Sequence, residues 1–134
     1  MTQSLAGRHV LIVEDNALIA ETIEDVLLDD GAETVVHASS VALALAAIDR
    51  QAFDFGLLDV SLVREESWPV AARLRELAIP YLIMTGHGEI AQHELITHLL
   101  SKPYDMHQLR SAIGTLLATR SGRPDSIPRT ERSS

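Results

Sequence analysis

The sequence contains no cysteine, a single lysine and only 4% aromatic residues. The missing cysteines exclude disulfide bonds, thiol catalysis and thiolate metal sites, and they leave the redox compartment open. Because 46% of the residues are nonetheless hydrophobic, we expect a core of aliphatic side chains. No apolar run approaches the roughly 18 residues of a membrane span, and residues 1–5 lack the apolar segment of a signal peptide. These absences predict a soluble protein of the cytoplasm with no membrane association.

Negative charge predominates over most of the chain. The formal net charge is −8, but the segment from Arg120 carries four arginines against two acidic residues, so residues 1–119 carry −10. Phosphate backbones are repelled by so acidic a body, and the short basic tail does not offset it. Direct binding to nucleic acid is therefore not expected.

Apolar runs alternate with helical patterns along the chain. Strands are expected at residues 9–13, 34–37, 54–58, 81–84 and 98–101. A helix is expected after each strand, including a short one at about 89–95 between the last two strands. Asn16, a serine at 39 or 40, and Asp105 are the expected caps of the first, second and last helices. Five β-then-α units predict an α/β fold with a parallel sheet and helices on both faces, in one domain.

Four of the expected strands end in chemically reactive residues. The first runs into Glu14 and Asp15, the third into Asp59, the fourth into Thr85 and the fifth into Lys102. Because the carboxyl ends of parallel strands meet at one edge of a sheet, where ligands bind, these side chains are expected to converge. The sequence therefore predicts a site for a divalent cation and a phosphoryl group.

The chemistry of this site follows from its charges. At roughly 4–5 Å and an effective dielectric constant of about 20, each pair of carboxylates repels by about 3–4 kcal/mol, so a cation is needed. A hard oxygen site with few ligands suits Mg²⁺. Asp59 is then a candidate nucleophile on phosphorus, while Thr85 and Lys102 are candidate contacts for the phosphoryl oxygens.

These motifs in this order and spacing resemble the receiver domain of two-component response regulators. The motifs that carry the resemblance are Glu14-Asp15, Asp59, Thr85-Gly86 and Lys102-Pro103. The resemblance covers residues 7–120, leaving 1–6 as an N-terminal extension and 121–134 as a tail that its composition predicts to be disordered. It implies a flavodoxin-like, doubly wound sheet of five strands in the order 2-1-3-4-5.

The resemblance also implies a role for each site residue. Asp59 would be the phospho-acceptor, and Asp15, Asp59 and the backbone carbonyl of Ser61 would bind Mg²⁺, with Glu14 helping through water. Thr85 and Lys102 would contact the phosphoryl group, and the peptide bond between Lys102 and the proline after it would be cis.

The resemblance implies partners as well. The donor would be a phosphohistidine on a sensor histidine kinase or a histidine phosphotransfer protein. The chain would catalyse only its own phosphorylation and dephosphorylation. Without an output domain, the signal would leave through an unidentified downstream protein, or the chain would serve as a phosphoryl sink or relay.

Several positions depart from the usual receiver pattern. The loop at 61–67 lacks the common proline and glycine, and Trp68 is expected to anchor it. Leu99 stands where an aromatic residue usually couples to the threonine of strand four. That strand, with Thr85-Gly86-His87, is similar to a subset of stand-alone alphaproteobacterial receivers with a Phe-Ala-Thr-Gly-type motif. Ser61 and His87 would border the water that hydrolyses the phosphoryl group.

Three alternatives remain open. A receiver that binds partners without being phosphorylated is kept open by Leu99. A phosphatase with an aspartyl-phosphate intermediate usually has a second carboxylate where this chain has Ser61, and it needs a substrate cap. A flavodoxin-like electron carrier needs a phosphate-binding loop rich in Ser, Thr and Gly where this chain has Glu14-Asp15-Asn16.

Overall fold

A computed structural model describes residues 4–62, 65–86 and 93–121, with side chains as far as Ala118. The strands are β1 (His9–Val13), β2 (Thr34–Ala38), β3 (Phe55–Asp59), β4 (Tyr81–Thr85) and β5 (Leu99–Ser101). The helices of the described part are α1 (Ala17–Asp29), α2 (Val41–Arg50), α3 (Trp68–Glu76) and α4 (Met106–Ser121).

All neighbouring strands are parallel, and their order is β2-β1-β3-β4-β5. This confirms the doubly wound, flavodoxin-like sheet expected from the sequence. The bounds of β2, β3, β4 and β5 differ from the expected ones by no more than one residue at either end, which is the usual uncertainty at the end of an element.

The sheet separates two hydrophobic cores, because successive side chains of a strand point to opposite faces. Leu11 and Leu58 lie on the face covered by α2 and α3. Ile12 and Leu57 lie on the face covered by α1 and α4. The second core also contains Leu5, from the segment expected to be an extension; it is fully buried, and its N–H donates to the carbonyl of Asp30 at the end of α1 (3.0 Å).

The helix starts follow the expected caps. The side chain of Asn16 accepts hydrogen bonds from the N–H groups of Leu18 and Ile19, and Ser40 caps α2. At α4, Asp105 Oδ1 accepts from the N–H of Gln108 (2.7 Å), whose side chain accepts in return from the N–H of Asp105 (2.8 Å). These reciprocal bonds satisfy donors that the first helical turn leaves free.

The remaining expectations about the helices either differ from the structure or concern residues outside the described part. Leu77 continues the apolar spacing of Val70 and Leu74 but is 43% exposed, because α3 ends at Glu76 and Leu77 is already its C-cap. The short helix expected at about 89–95 falls mostly outside the described residues, and residues 93–95 belong to a non-helical segment with a turn. Of residues 121–134, expected to be disordered, Ser121 is the last residue of α4, and the others lie outside the described part. None of the described helices is long and apolar enough to cross a membrane.

Candidate functional site

Three carboxylates meet at the carboxyl edge of the sheet. Because β1 pairs with β3 in the register Val13 to Leu58, the residues that follow β1 lie beside the last residue of β3. One carboxylate oxygen each from Glu14, Asp15 and Asp59 lies within 4.8 Å of the other two. Glu14 is only 1% exposed and Asp59 only 3%, whereas Asp15 is half-buried. The topology thus produces the acidic cluster expected from the sequence.

The single lysine of the chain lies in the same place. Its Nζ donates to Asp59 Oδ2 at 2.9 Å, and the Lys102 side chain is 29% exposed. The N–H of Lys102 donates to the carbonyl of Thr85 (2.7 Å), which fixes β5 against the end of β4. Thr85 is buried beside this contact. The peptide bond that joins Lys102 to Pro103 is cis, as the resemblance implied.

Backbone donors hold two of the carboxylates. The N–H of Asn16 donates to Glu14 Oε2 (3.2 Å), and the N–H of Ser61 donates to Asp59 Oδ1 (3.3 Å). The His37 ring on β2 also contributes, since its Nε2 lies 2.6 Å from the carbonyl oxygen of Glu14. A carbonyl can only accept, so Nε2 of His37 carries the proton. Sequence reasoning assigned His37 no role; the signal available was its position at the end of the neighbouring strand.

The charges of the cluster shift two pKa values. Burial, followed by repulsion from Asp59, raises the pKa of Glu14 from 4.5 to about 7. Burial lowers the pKa of Lys102, but its hydrogen bond and ion pair with Asp59 outweigh that effect, and the pKa lies above its ordinary value. One ammonium therefore faces three carboxyl groups, and negative charge remains in excess.

The cluster fits a small divalent cation. Glu14 Oε1 is buried and has no hydrogen-bond partner among the described residues, although buried carboxylate oxygens normally have one. This oxygen belongs to Glu14, whose charged form is disfavoured by burial and by repulsion from Asp59. A hard cation between these carboxylates would offset both the repulsion and the missing hydrogen bond, and oxygen donors of this kind suit Mg²⁺.

The loop after Asp59 is short and closed. Ser61 and Glu66 form an isolated β-bridge, and the N–H of Leu62 donates to the carbonyl of Glu65 (2.9 Å). Glu65 Oε2 accepts from the N–H of Val41 at the start of α2 (2.9 Å). The loop without the usual proline and glycine is thus pinned to a helix terminus. Leu99 is 38% exposed on β5. His87 lies outside the described residues.

Comparison with known proteins agrees with this geometry. A sequence model of the response regulator receiver domain matches residues 10–114. The alginate biosynthesis transcriptional regulatory protein AlgB of Pseudomonas aeruginosa is 32% identical over 126 residues, which are 89% of this chain and 28% of AlgB. The chain spans less than half the length of the curated relatives it matches.

Two solved structures are similar to this chain over nearly the whole of their own chains. The solution structure of SdrG from Sphingomonas melonis Fr1 is 34% identical with a TM-score of 0.68, over 85% of this chain and 98% of SdrG. A response regulator receiver protein from Sinorhizobium medicae WSM419 is 27% identical with a TM-score of 0.74, over 87% of this chain and 99% of that one. With the acidic cluster, the buried threonine and the lysine at one sheet edge, these matches show that the chain belongs to the family of response regulator receiver domains of two-component systems.

Proposed function

We propose that this chain is a single-domain response regulator that accepts a phosphoryl group on Asp59. The observation that carries the proposal is the 2.9 Å contact between Lys102 Nζ and Asp59 Oδ2 inside a cluster of three carboxyl groups. An isolated acidic cluster would serve only to bind a cation. A lysine paired with one particular carboxylate adds the positive charge that an incoming phosphoryl group requires.

The reaction transfers a phosphoryl group from nitrogen to oxygen. A carboxylate oxygen of Asp59 attacks the phosphorus of a phosphohistidine, the P–N bond breaks, and the imidazole leaves with its bonding electrons and takes up a proton. The Lys102 ammonium then neutralises negative charge on the phosphoryl oxygens instead of on the free carboxylate. The Thr85 hydroxyl is a second hydrogen-bond donor to the phosphoryl oxygens. The later attack of water on the acyl phosphate returns Asp59 to its carboxylate.

Mg²⁺ is the proposed cofactor. Asp15, Asp59 and the carbonyl of Ser61 would bind the ion directly, and Glu14 would bind it through water. When bound, Mg²⁺ supplies charge neutralisation for both the carboxylates and the phosphoryl oxygens. The chain acts on its own side chain and on no separate substrate, so we do not class it as an enzyme.

The donor is proposed to be a sensor histidine kinase or a histidine phosphotransfer protein. An apolar groove of about 450 Å³ adjoins the site and is shared between the start of α1 and the segment after Lys102. Leu18, at its edge, is 72% exposed, and Ile19, Tyr104 and Met106 also line it. So exposed a leucine next to a charged site suits the docking of a protein donor.

The signal is proposed to pass from this chain to a partner protein. The alternative is that the chain serves as a phosphoryl sink or relay. The similarity covers 98% of SdrG and 99% of the Sinorhizobium medicae receiver, so the receiver unit is the part of the protein for which a partner is proposed. The cytoplasm, where kinase domains supply phosphohistidine, is the proposed location.

The test is an intact-mass measurement after incubation with phosphoramidate, whose P–N bond resembles that of phosphohistidine. We expect a gain of one phosphoryl group that requires Mg²⁺ and is lost in Asp59→Asn. The matched control is Asp25→Asn on α1, which removes an exposed carboxylate remote from the site. If conditions that phosphorylate another receiver produce no gain here, the chain is a receiver that binds partners without phosphorylation.

A further inference from the structure

Two aromatic rings connect the loop after β3 to the segment before β5. Trp68 and His93 form a parallel stack with ring centroids 3.8 Å apart and an angle of 7° between the planes. Trp68 is the first residue of α3, and His93 opens the described segment 93–101 that ends in β5. The two residues are 25 positions apart, so the stack is a tertiary contact between the start of α3 and the segment before β5.

Trp68 is linked to Asp59 by a very short path. The N–H of Ser67 donates to the carbonyl of Val60 (3.0 Å), and this bond closes the loop. Val60 directly follows Asp59, and Trp68 directly follows Ser67. The N–H of Ser61 contacts Asp59 Oδ1 (3.3 Å). The Asp59 carboxylate is thus in direct hydrogen-bond contact with the first residue of this loop.

His93 is linked in turn to the segment after it. Its Nδ1 accepts from the N–H of Leu95 (3.1 Å), and the carbonyl of Leu95 accepts from the hydroxyl of Tyr81 on β4. A further contact joins Arg75 Nη1 on α3 to the carbonyl of Glu94 (3.4 Å). The stack is thus one of a small set of contacts that position residues 93–96 against α3 and β4.

The base of the loop contains an unsatisfied group. The Ser67 hydroxyl is fully buried and has no hydrogen-bond partner in the described part of the chain. A serine immediately before a helix normally accepts from an N–H of the first turn, but Ser67 has φ −86° and ψ 10° and makes no such bond. A second arrangement of the loop, with Ser67 extended, would let its hydroxyl cap α3. A shift of Ser67 to that backbone conformation would therefore satisfy the buried hydroxyl.

We propose that the Trp68–His93 stack reports phosphorylation of Asp59 to residues 93–98, and that it opens when Asp59 carries a phosphoryl group. This rests on the proposed function. Phosphorylation bonds one carboxylate oxygen of Asp59 to phosphorus, so that Lys102 would pair with the phosphoryl oxygens, and it adds negative charge beside Ser61. A ring contact is sensitive to such a shift, since a gap of about 0.5–1 Å forfeits a quarter to a half of its dispersion attraction.

The chain offers a direct probe, because Trp68 is its single tryptophan. The experiment records tryptophan emission before and after phosphorylation with phosphoramidate and Mg²⁺, and measures the phosphorylated fraction by intact mass in the same samples. Hydrogen exchange at the N–H of Leu95 is followed in parallel. In the unsubstituted protein we expect a shift of the emission maximum to longer wavelength and faster exchange at Leu95, both proportional to the phosphorylated fraction.

Two variants separate the stack from a direct effect of charge on the indole. His93→Ala should accept the phosphoryl group to the same extent but lose the emission response. His93→Phe keeps a ring against Trp68 and should restore the response. If His93→Ala still responds like the unsubstituted protein, the stack is not the reporter.

The proposal and the function on which it rests fail differently. A phosphoryl gain without any change in emission or in Leu95 exchange overturns the stack as a reporter and leaves the receiver function intact. The absence of any phosphoryl gain overturns both.

Discussion

Removing one carboxylate from the acidic cluster should stabilise the metal-free protein. In Asp15→Asn, two repulsions are lost, because one oxygen of Asp15 lies within 4.8 Å of oxygens of both Glu14 and Asp59. At that distance and an effective dielectric constant of about 20, each repulsion is about 3.5 kcal/mol. Solvent around the half-buried Asp15 and the nearby Lys102 reduce the effect, so we expect a net gain of about 1–3 kcal/mol in the free energy of unfolding.

The assay is thermal unfolding at about pH 8.5, where Glu14 with its pKa of about 7 is ionised, in chelator and again with a series of Mg²⁺ concentrations. In chelator, Asp15→Asn should melt higher, by roughly 3–6 °C for each kcal/mol in a domain of this size. Mg²⁺ should raise the melting temperature of the unsubstituted protein, because an ion that binds only the folded state stabilises it by about 2.7 kcal/mol at a hundred times its dissociation constant. The variant should lose most of that response.

The matched control is Asp25→Asn, which makes the same change of charge at an exposed position of α1. It should leave both the stability in chelator and the response to Mg²⁺ nearly unchanged. The reasoning is refuted if Asp15→Asn destabilises the metal-free protein, or if Mg²⁺ stabilises it as much as the unsubstituted chain.

Three further predictions concern pH, the lysine and a glycine. Glu14, with a pKa of about 7 in place of 4.5, adds about 3 kcal/mol to the free energy of unfolding below pH 4.5. That contribution is lost as the pH rises through about 7; urea unfolding in chelator should show this decline, and Glu14→Gln should flatten it. Lys102→Met breaks the 2.9 Å ion pair with Asp59 and should lower the free energy of unfolding in chelator by about 1–3 kcal/mol. An unchanged free energy of unfolding would contradict a stabilising role of this ion pair. Gly56→Ala places a Cβ 3.0 Å from a leucine of α3 and should destabilise the protein by about 1–3 kcal/mol in urea unfolding, whereas Gly114→Ala, with no atom within 4 Å, should be neutral or stabilising.

The fold was largely predictable because its signals are local. Each strand is a short apolar run, and α1, α2 and α4 each have a capping side chain at their start, so alternation alone predicts a parallel sheet. The site followed from topology, since the residues that end β1, β3, β4 and β5 must meet at one edge. The individual roles of Ser61 and Glu14, by contrast, came only from the family resemblance.

The remaining features depend on contacts that leave no periodic pattern. Nothing in the local sequence places His93 on Trp68, or Leu5 in the core beside α1. The contact of Glu65 is of the same kind, since nothing in the local sequence predicts that it accepts a hydrogen bond from the start of α2. Such pairings are set by how loops close in three dimensions, and only the structure reveals them.

The central claim is that Asp59 itself carries the phosphoryl group. After incubation with phosphoramidate and Mg²⁺, borohydride reduces an aspartyl phosphate to homoserine, and peptide mass spectrometry then locates the altered residue. We predict homoserine at position 59 alone, and none when Mg²⁺ is replaced by chelator. Homoserine at position 15, or a phosphoryl gain that leaves residue 59 as aspartate, would contradict the account.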